Sequence, residues 1–401
     1  MLPKDGAAGF PPNAARLALP LPGPYVFKSP WARRAAAALD AVGGLLFGSK
    51  AAPSFDWRST SRIAVLRLDH LGDLLQALPA LRRLKCALPQ AQVDLWVGPW
   101  GLELAGLFAD VDLVHVTPAS WFQRPKPRRS ALGDRTMLAE SLRRQGYDAS
   151  IDLRGDLRHH WAAKRAGIPV RVGQTLTGGR FLLTHPVRWD AALHEQEQNL
   201  SLLNQAGVPF AEQGSEPYLR LPAAAIEQAQ AVAKDLGLGP LPVLVQAASG
   251  APAKRWTPEA WAQVLEGLPE ELPIALLGST AERGEMEGIA RLVKRPVAVA
   301  AGRLDLGGLA AFLASARLVL SVDSGPAHLA AIQGVPVLSL FSGTNRAPQW
   351  APRGREVQVI QAPGIPCSPC ELSVCPYGNA CMKAIDPATV LAAARKLLRV
   401  A

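Results

Sequence analysis

The chain has 401 residues, 49% hydrophobic and 19% charged, so it is long enough for two to three domains and too apolar to be disordered. No apolar run reaches the ~18 residues of a membrane-spanning helix, and five cysteines are too few for a disulfide scaffold. The net charge of +10 leaves three partners open: nucleic acid, an anionic membrane surface or a phosphorylated small molecule.

Residues 1–60 read as a Pro-rich basic extension, with seven Lys/Arg against three acids. Its prolines precede the first apolar stretch, which argues against a secretory signal and makes the cytoplasm the expected compartment. One amphipathic helix is predicted over 31–47, where Arg33 and Arg34 precede Val42, Leu45, Leu46 and Phe47. Such a helix either packs on the main body or rests on a membrane surface. From residue 61 the pattern alternates. Strands are predicted at 62–68, 92–97, 112–116 and 147–153, with a helix over 74–88 and further helices between them. The loop Arg124-Pro-Lys-Pro-Arg-Arg129 lies in a segment, 121–144, with seven Lys/Arg against two acids. Its prolines make it an exposed loop, and Arg124, Lys126, Arg128 and Arg129 are candidate acceptor or membrane contacts. A linker is expected at 207–221. A second series follows, with strands at 241–247, 273–277, 297–300, 318–322 and 335–341. Helices are predicted at 258–266, 282–293, 306–314 and 326–333, and a closing helix at 387–399. The fold class is α/β, with halves at 61–215 and 216–386 and the closing helix in 387–401. Each half builds a parallel sheet covered by helices, and a ligand cleft is expected between them at the carboxyl ends of the strands.

Three turns could carry chemistry. Ser321-Val-Asp-Ser-Gly-Pro-Ala-His328 joins a buried strand to a helix. Its free amides and the helix dipole suit a phosphate, with Asp323, Ser324, Gly325 and His328 at hand, although a plain capped turn reads the same way. In Asp69-His-Leu-Gly-Asp73, Asp73 is placed at a helix start, either as a cap or as a general base toward a hydroxyl. Lys254-Arg-Trp-Thr-Pro-Glu259 follows the Ser249-Gly250 turn. There Lys254 either neutralises a leaving diphosphate or simply lies in a solvated loop. Cys367, Cys370, Cys375 and Cys381 fall within fifteen residues, a spacing that suits a structural zinc or, alternatively, free thiols or reversible disulfides. Cys86 is expected to pack in a helix. Asp110-Val-Asp112 reads as a strand opening rather than an ion site. His159 and His160, adjacent on a helix, are expected to point apart and make a poor metal pair.

Taken together these motifs resemble glycosyltransferase family 9, the heptosyltransferases of lipopolysaccharide assembly. The stretch Arg62-Ile-Ala-Val-Leu-Arg-Leu-Asp-His-Leu-Gly-Asp73 looks like that family's opening strand and Gly-Asp turn. Asp323-Ser-Gly-Pro-Ala-His-Leu-Ala-Ala331, then Gly334-Val-Pro-Val337 and Phe341-Ser-Gly-Thr344, looks like its nucleotide signature. The resemblance covers about residues 61–400 and implies two facing Rossmann-like domains of the GT-B type. It implies an inverting transfer, needing no cofactor, from a nucleotide-activated heptose such as ADP-heptose to a lipid-linked inner-core sugar. In that reading Asp73 matches the catalytic base and Lys254 the diphosphate-contacting lysine. Ser324, Gly325 and His328 match the nucleotide site, with Asp323 and Ser249 beside it and Glu282 at the nucleoside ribose. The other readings are transfer of another hexose to a cell-surface glycan, another enzyme on paired Rossmann-like domains, or a basic membrane- or RNA-binding protein without catalysis.

The charge narrows the partners. Residues 1–215 carry +8 and residues 216–401 carry +2. Aromatic platforms interleaved with basic residues are sparse in the basic half, so nucleic acid is not expected. An anionic lipid-linked oligosaccharide at the inner face of the cytoplasmic membrane fits that half better. A peripheral location there follows.

Overall fold

The computed structural model describes residues 25–27, 29–47, 55–122, 131–212 and 214–399. Arg124, Lys126, Arg128 and Arg129 lie outside them. The described residues up to Arg220 form one compact unit, and those from Leu221 onward belong to another.

Short β-branched and aliphatic runs make the strands. In the first unit they are β1 (Arg62–Leu66), β2 (Gln92–Val97), β3 (Leu113–Val116), β4 (Ala149–Asp152), β5 (Val170–Gln174) and β6 (His185–Val187). The second unit holds β7 (Val243–Gln246), β8 (Ile274–Leu276), β9 (Ala298–Val299), β10 (Leu318–Val322), β11 (Val337–Phe341) and β12 (Val357–Gln361). Every pairing between these strands is parallel, in the orders β3-β2-β1-β4-β5-β6 and β12-β11-β10-β7-β8-β9. Read from its far edge, the second order repeats the first, so both units are Rossmann-like. In each, the strand order reverses beside the first strand, at β1/β4 and at β7/β10, and such a switch point opens a crevice at the carboxyl ends. The central strands β4, β7, β10 and β11 are buried throughout, as strands covered on both faces must be.

Three strands escape the sequence pattern. β5 is interrupted by half-buried Arg171, β6 is a three-residue edge containing Pro186, and β12 is an edge that is half-buried along its length. The single helix expected over 74–88 is two, Leu71–Gln76 and Leu78–Ala87. Pro79 accounts for the break, since it lacks an amide and clashes with a continuing helix. Cys86, expected to pack, is exposed on the outer face of the second of these. Asp110 and Asp112 pair with separate cations, Arg82 and Lys85, each at 2.8 Å. Arg82 also donates to the carbonyls of Glu216 and Pro217, pinning the expected linker to the first unit.

The N-terminal helix, α1 (Pro30–Phe47), belongs to the first unit. Asp40 fixes it there by accepting from the amides of Gly179 at 2.7 Å and Arg180 at 2.8 Å.

Candidate active site

In the first unit the chain leaves β1 with Arg67, a guanidinium buried to 1% exposure among three carboxylates. It lies 3.1 Å from Asp69, 3.4 Å from Asp73 and 2.9 Å from Glu195. Arg67 also donates to the carbonyl of Leu153, beyond β4. From the same loop Arg154 reaches Asp69 at 3.3 Å. That loop turns at Gly155, whose φ is +69° and where a Cβ would stand 2.7 Å from the Gln174 carbonyl, so only glycine fits.

The three carboxylates are not equivalent. Asp69 is nearly sealed, at 4% side-chain exposure, whereas Asp73 keeps 18% and opens to solvent. Asp73 receives Arg67 on Oδ1 and the His70 amide on Oδ2 at 3.2 Å. It therefore caps its helix and still presents a carboxylate outward.

Burial pushes the Asp69 carboxyl up to about 7; Arg67 and Arg154 pull against that, and Asp73 and Glu195 add to it. Burial alone would lower the Arg67 guanidinium, but Asp69, Glu195 and Asp73 hold it above its ordinary value. Folded Asp69 thus keeps a proton that an unfolded carboxylate, near 3.9, has released, so its contribution to stability falls as pH rises from about 4 to about 7. Asp69→Asn removes that slope. The melting temperature of the wild type minus that of Asp69→Asn should fall across this range, and a constant difference in thermal denaturation would refute the assignment.

Asp152, at the end of β4, shapes the Arg154 loop by accepting from the amides of Arg154 at 3.0 Å and Asp156 at 2.8 Å. His159 and His160 do not point apart as expected. Both converge on Asp152, His159 Nδ1 on one oxygen and His160 Nε2 on the other, each at 3.0 Å. Burial would raise the Asp152 carboxyl, but the two imidazoles hold it well below the usual carboxylate range.

In the second unit Ser249, Lys254, Asp323 and Ser324, expected to meet a nucleotide, follow β7 and β10 at the switch point, whereas Glu282 follows β8. Lys254 ends the short turn Pro252–Lys254 after β7, and its Nζ lies 2.7 Å from Asp323 Oδ2, beyond β10. Asn345, which the sequence reading missed, donates to the same oxygen at 2.8 Å. Asp323 is thus turned onto Lys254 and positions that cation. Next to it, Ser324 precedes the helix Gly325–Ile332 with an extended backbone, and its hydroxyl lies 2.9 Å from Ser321 Oγ rather than capping the helix. Nothing lies within 4 Å of the place a Gly325 Cβ would take, so the approach to the helix start is unobstructed there; Pro326 carries no amide, and the Ala327 amide donates to the Ser324 carbonyl at 3.2 Å. His328 is buried one turn on. Ser249, in the loop after β7, accepts the Ala251 amide at 3.3 Å. Glu282, in the loop after β8, is engaged by the Ser279 amide at 2.8 Å and hydroxyl at 2.9 Å. Its carboxylate closes its own turn, and the structure records no contact from it to Lys254 or Ser324.

The cysteine segment braces this half-site. Ser373 accepts the Ala253 amide at 3.0 Å, and Asn379 donates to the Pro252 carbonyl at 2.7 Å, so the Lys254 turn is held from below. On the other side Cys370 donates to Gly343, and the Gly343 amide donates to Cys381 Sγ at 3.3 Å, steadying the loop that carries Asn345. Burial pushes the Cys367 thiol up to about 11, with Cys370, Cys381 and Cys375 adding to it. Yet no three His, Cys, Asp or Glu among the described residues are arranged to hold a metal ion.

A model of glycosyltransferase family 9 (heptosyltransferase) matches residues 135–381. Lipopolysaccharide heptosyltransferase 1 of Pseudomonas aeruginosa is 29% identical over 333 residues, 79% of this chain and 88% of the relative. The crystal structure of a glycosyl transferase family 9 protein from Veillonella parvula superposes with a TM-score of 0.71 at 22% identity, covering 87% of this chain and 99% of that one. The E. coli heptosyltransferase WaaC with ADP-2-deoxy-2-fluoro heptose superposes with a TM-score of 0.57 at 24% identity, covering 78% and 96%. The protein is thus a glycosyltransferase built on two Rossmann-like domains. It belongs to glycosyltransferase family 9, the heptosyltransferase family.

Proposed function

We propose that the chain is an inverting transferase that moves a heptose from ADP-heptose to the inner core of lipopolysaccharide, on a lipid A-linked acceptor at the cytoplasmic face of the inner membrane. One observation carries the reading. At the β1/β4 switch point three carboxylates share Arg67, and Asp73, at 3.4 Å from it, is the most exposed of them, while Asp69 and Glu195 lie closer to the guanidinium and deeper. The donor assignment is supported by the ADP-heptose analogue bound to the E. coli relative, and the acceptor by the name of the Pseudomonas relative.

Asp73 takes the proton of the acceptor hydroxyl as its oxygen attacks the anomeric carbon. The bond from that carbon to the diphosphate oxygen breaks on the opposite face, and configuration inverts. Charge growing on the leaving diphosphate meets the Lys254 ammonium and the amides at the start of the helix Gly325–Ile332. Those donors do the work that a divalent ion does in many sugar transferases. Asp323, itself fixed by Asn345, holds Lys254 in place. Lys254→Ala should lower kcat by about 10²–10³-fold, the loss seen when one donor to a developing oxyanion is removed. The measurement is ADP release at saturating donor, and an unchanged rate would remove Lys254 from the leaving-group role.

Lipopolysaccharide from a strain lacking this protein, weighed by mass spectrometry, tests the whole reading. A core shortened by one heptose supports it, and an unchanged core overturns it. Zinc at the cysteine segment, if bound, would be structural, stiffening the brace beneath Lys254 rather than acting on substrate.

A further inference from the structure

The helix α1 has two unlike faces. At about 100° per residue, Trp31, Ala38, Leu39, Val42, Leu45 and Leu46 fall within one arc about 120° wide that contains no charged side chain. That arc faces away from the protein: Trp31 is 76% exposed, Leu45 86% and Leu46 73%. The opposite face is fastened down. Ala36 is buried, and Gly43 sits so close to Phe181 that a Cβ would stand 2.2 Å from its ring. Asp40, the one acid of α1, is turned inward onto the amides of Gly179 and Arg180 and the hydroxyl of Tyr25. Those polar contacts fix the rotation of the helix and leave its apolar side uncovered by the rest of the described chain.

We propose that this face lies on an anionic lipid surface. The assignment rests on the reading of a lipid-linked acceptor and names the part of the chain that meets the lipid. Charge selects the occupant. Arg34 borders the arc, with its guanidinium 5.5 Å from the Trp31 ring centre, and Arg180 is exposed on the segment beneath. With Asp40 turned inward, the charged side chain of α1 that borders the apolar arc is Arg34, within an extension whose sequence carries seven Lys/Arg against three acids. A second copy docked on the same face would bring two sets of cations together, whereas anionic headgroups neutralise them. The Trp31 indole, an apolar ring with a polar N–H, suits the headgroup level, and the aliphatic side chains suit the acyl boundary below it. No described helix is long and apolar enough to cross a membrane, so α1 lies along the surface.

The test is co-sedimentation of the full chain with phosphatidylglycerol-containing vesicles and with phosphatidylcholine vesicles. Wild type should prefer the anionic vesicles and release from them as salt rises. Leu45→Glu combined with Leu46→Glu should cut binding about ten-fold or more without altering the circular dichroism, since both side chains are exposed. Arg34→Glu should weaken binding to the anionic vesicles only. Wild type that fails to sediment, or a double variant that sediments like wild type, overturns the proposal. So does a double variant that merely turns a dimer into a monomer in light scattering. Transfer to a detergent-solubilised acceptor should survive the double variant, so failure of the anchor and failure of the catalytic reading are separately visible.

Discussion

Asp73→Asn lowers kcat by about 10²–10⁴-fold, the span that a positioned general base contributes, while the Michaelis constant for the donor changes little. The substitution is nearly isosteric. Its side-chain oxygen still accepts the His70 amide, which Asp73 now receives at 3.2 Å, so the helix Leu71–Gln76 keeps its cap. What disappears is the group that can hold the acceptor's proton. Neither remaining carboxylate can substitute: Asp69 is 4% exposed and bound to two guanidiniums, and Glu195 lies 2.9 Å from Arg67. Steady-state transfer with a folded variant, its melting curve matched to wild type, makes the comparison clean. Turnover near the wild-type rate would remove Asp73 as the base.

Arg67→Met should cost the first unit about 3–5 kcal/mol of stability, because removing one side of a buried ion pair strands the other. Three carboxylates converge on that guanidinium and only Arg154 would remain near them. For a unit of this size the loss corresponds to a melting temperature roughly 10 °C lower. Methionine fills most of the volume, so the effect isolates charge rather than a cavity. Two further readouts identify its origin. Lower pH should restore part of the loss by protonating the stranded carboxylates, and adding Glu195→Gln, which removes the carboxylate nearest the guanidinium, should restore part of it at neutral pH. A variant as stable as wild type, or one that neither change rescues, would show that the cluster is not held by this charge.

The strand and helix alternation was legible because it depends on local periodicity. β2, β10 and the helices Pro258–Glu266 and Leu306–Ala314 have the expected bounds. The edge strands β6 and β12 were not, since half-buried residues give no continuous apolar run. Asp73 and Lys254 could be singled out because each lies in a turn after the first strand of its half, where glycine, proline and polar residues mark the break. The partners that define them could not. Arg67 and Glu195 are 128 residues apart, and Lys254 meets Asp323 across two neighbouring strands. His159 and His160 lie side by side on a helix, which says nothing of the one carboxylate they share at the end of β4.

By itself, then, the sequence determined two α/β halves, the segments that carry Asp73 and Lys254, and a surplus of positive charge in the first half. Only the tertiary structure decided which carboxylate stays open and which is neutralised, what holds Lys254, and which face of α1 is turned outward. The reason is physical. Periodicity records which side chains are buried, but a parallel sheet brings the ends of distant strands to one crevice. The charge state and direction of each group there are set by neighbours that its local sequence does not contain.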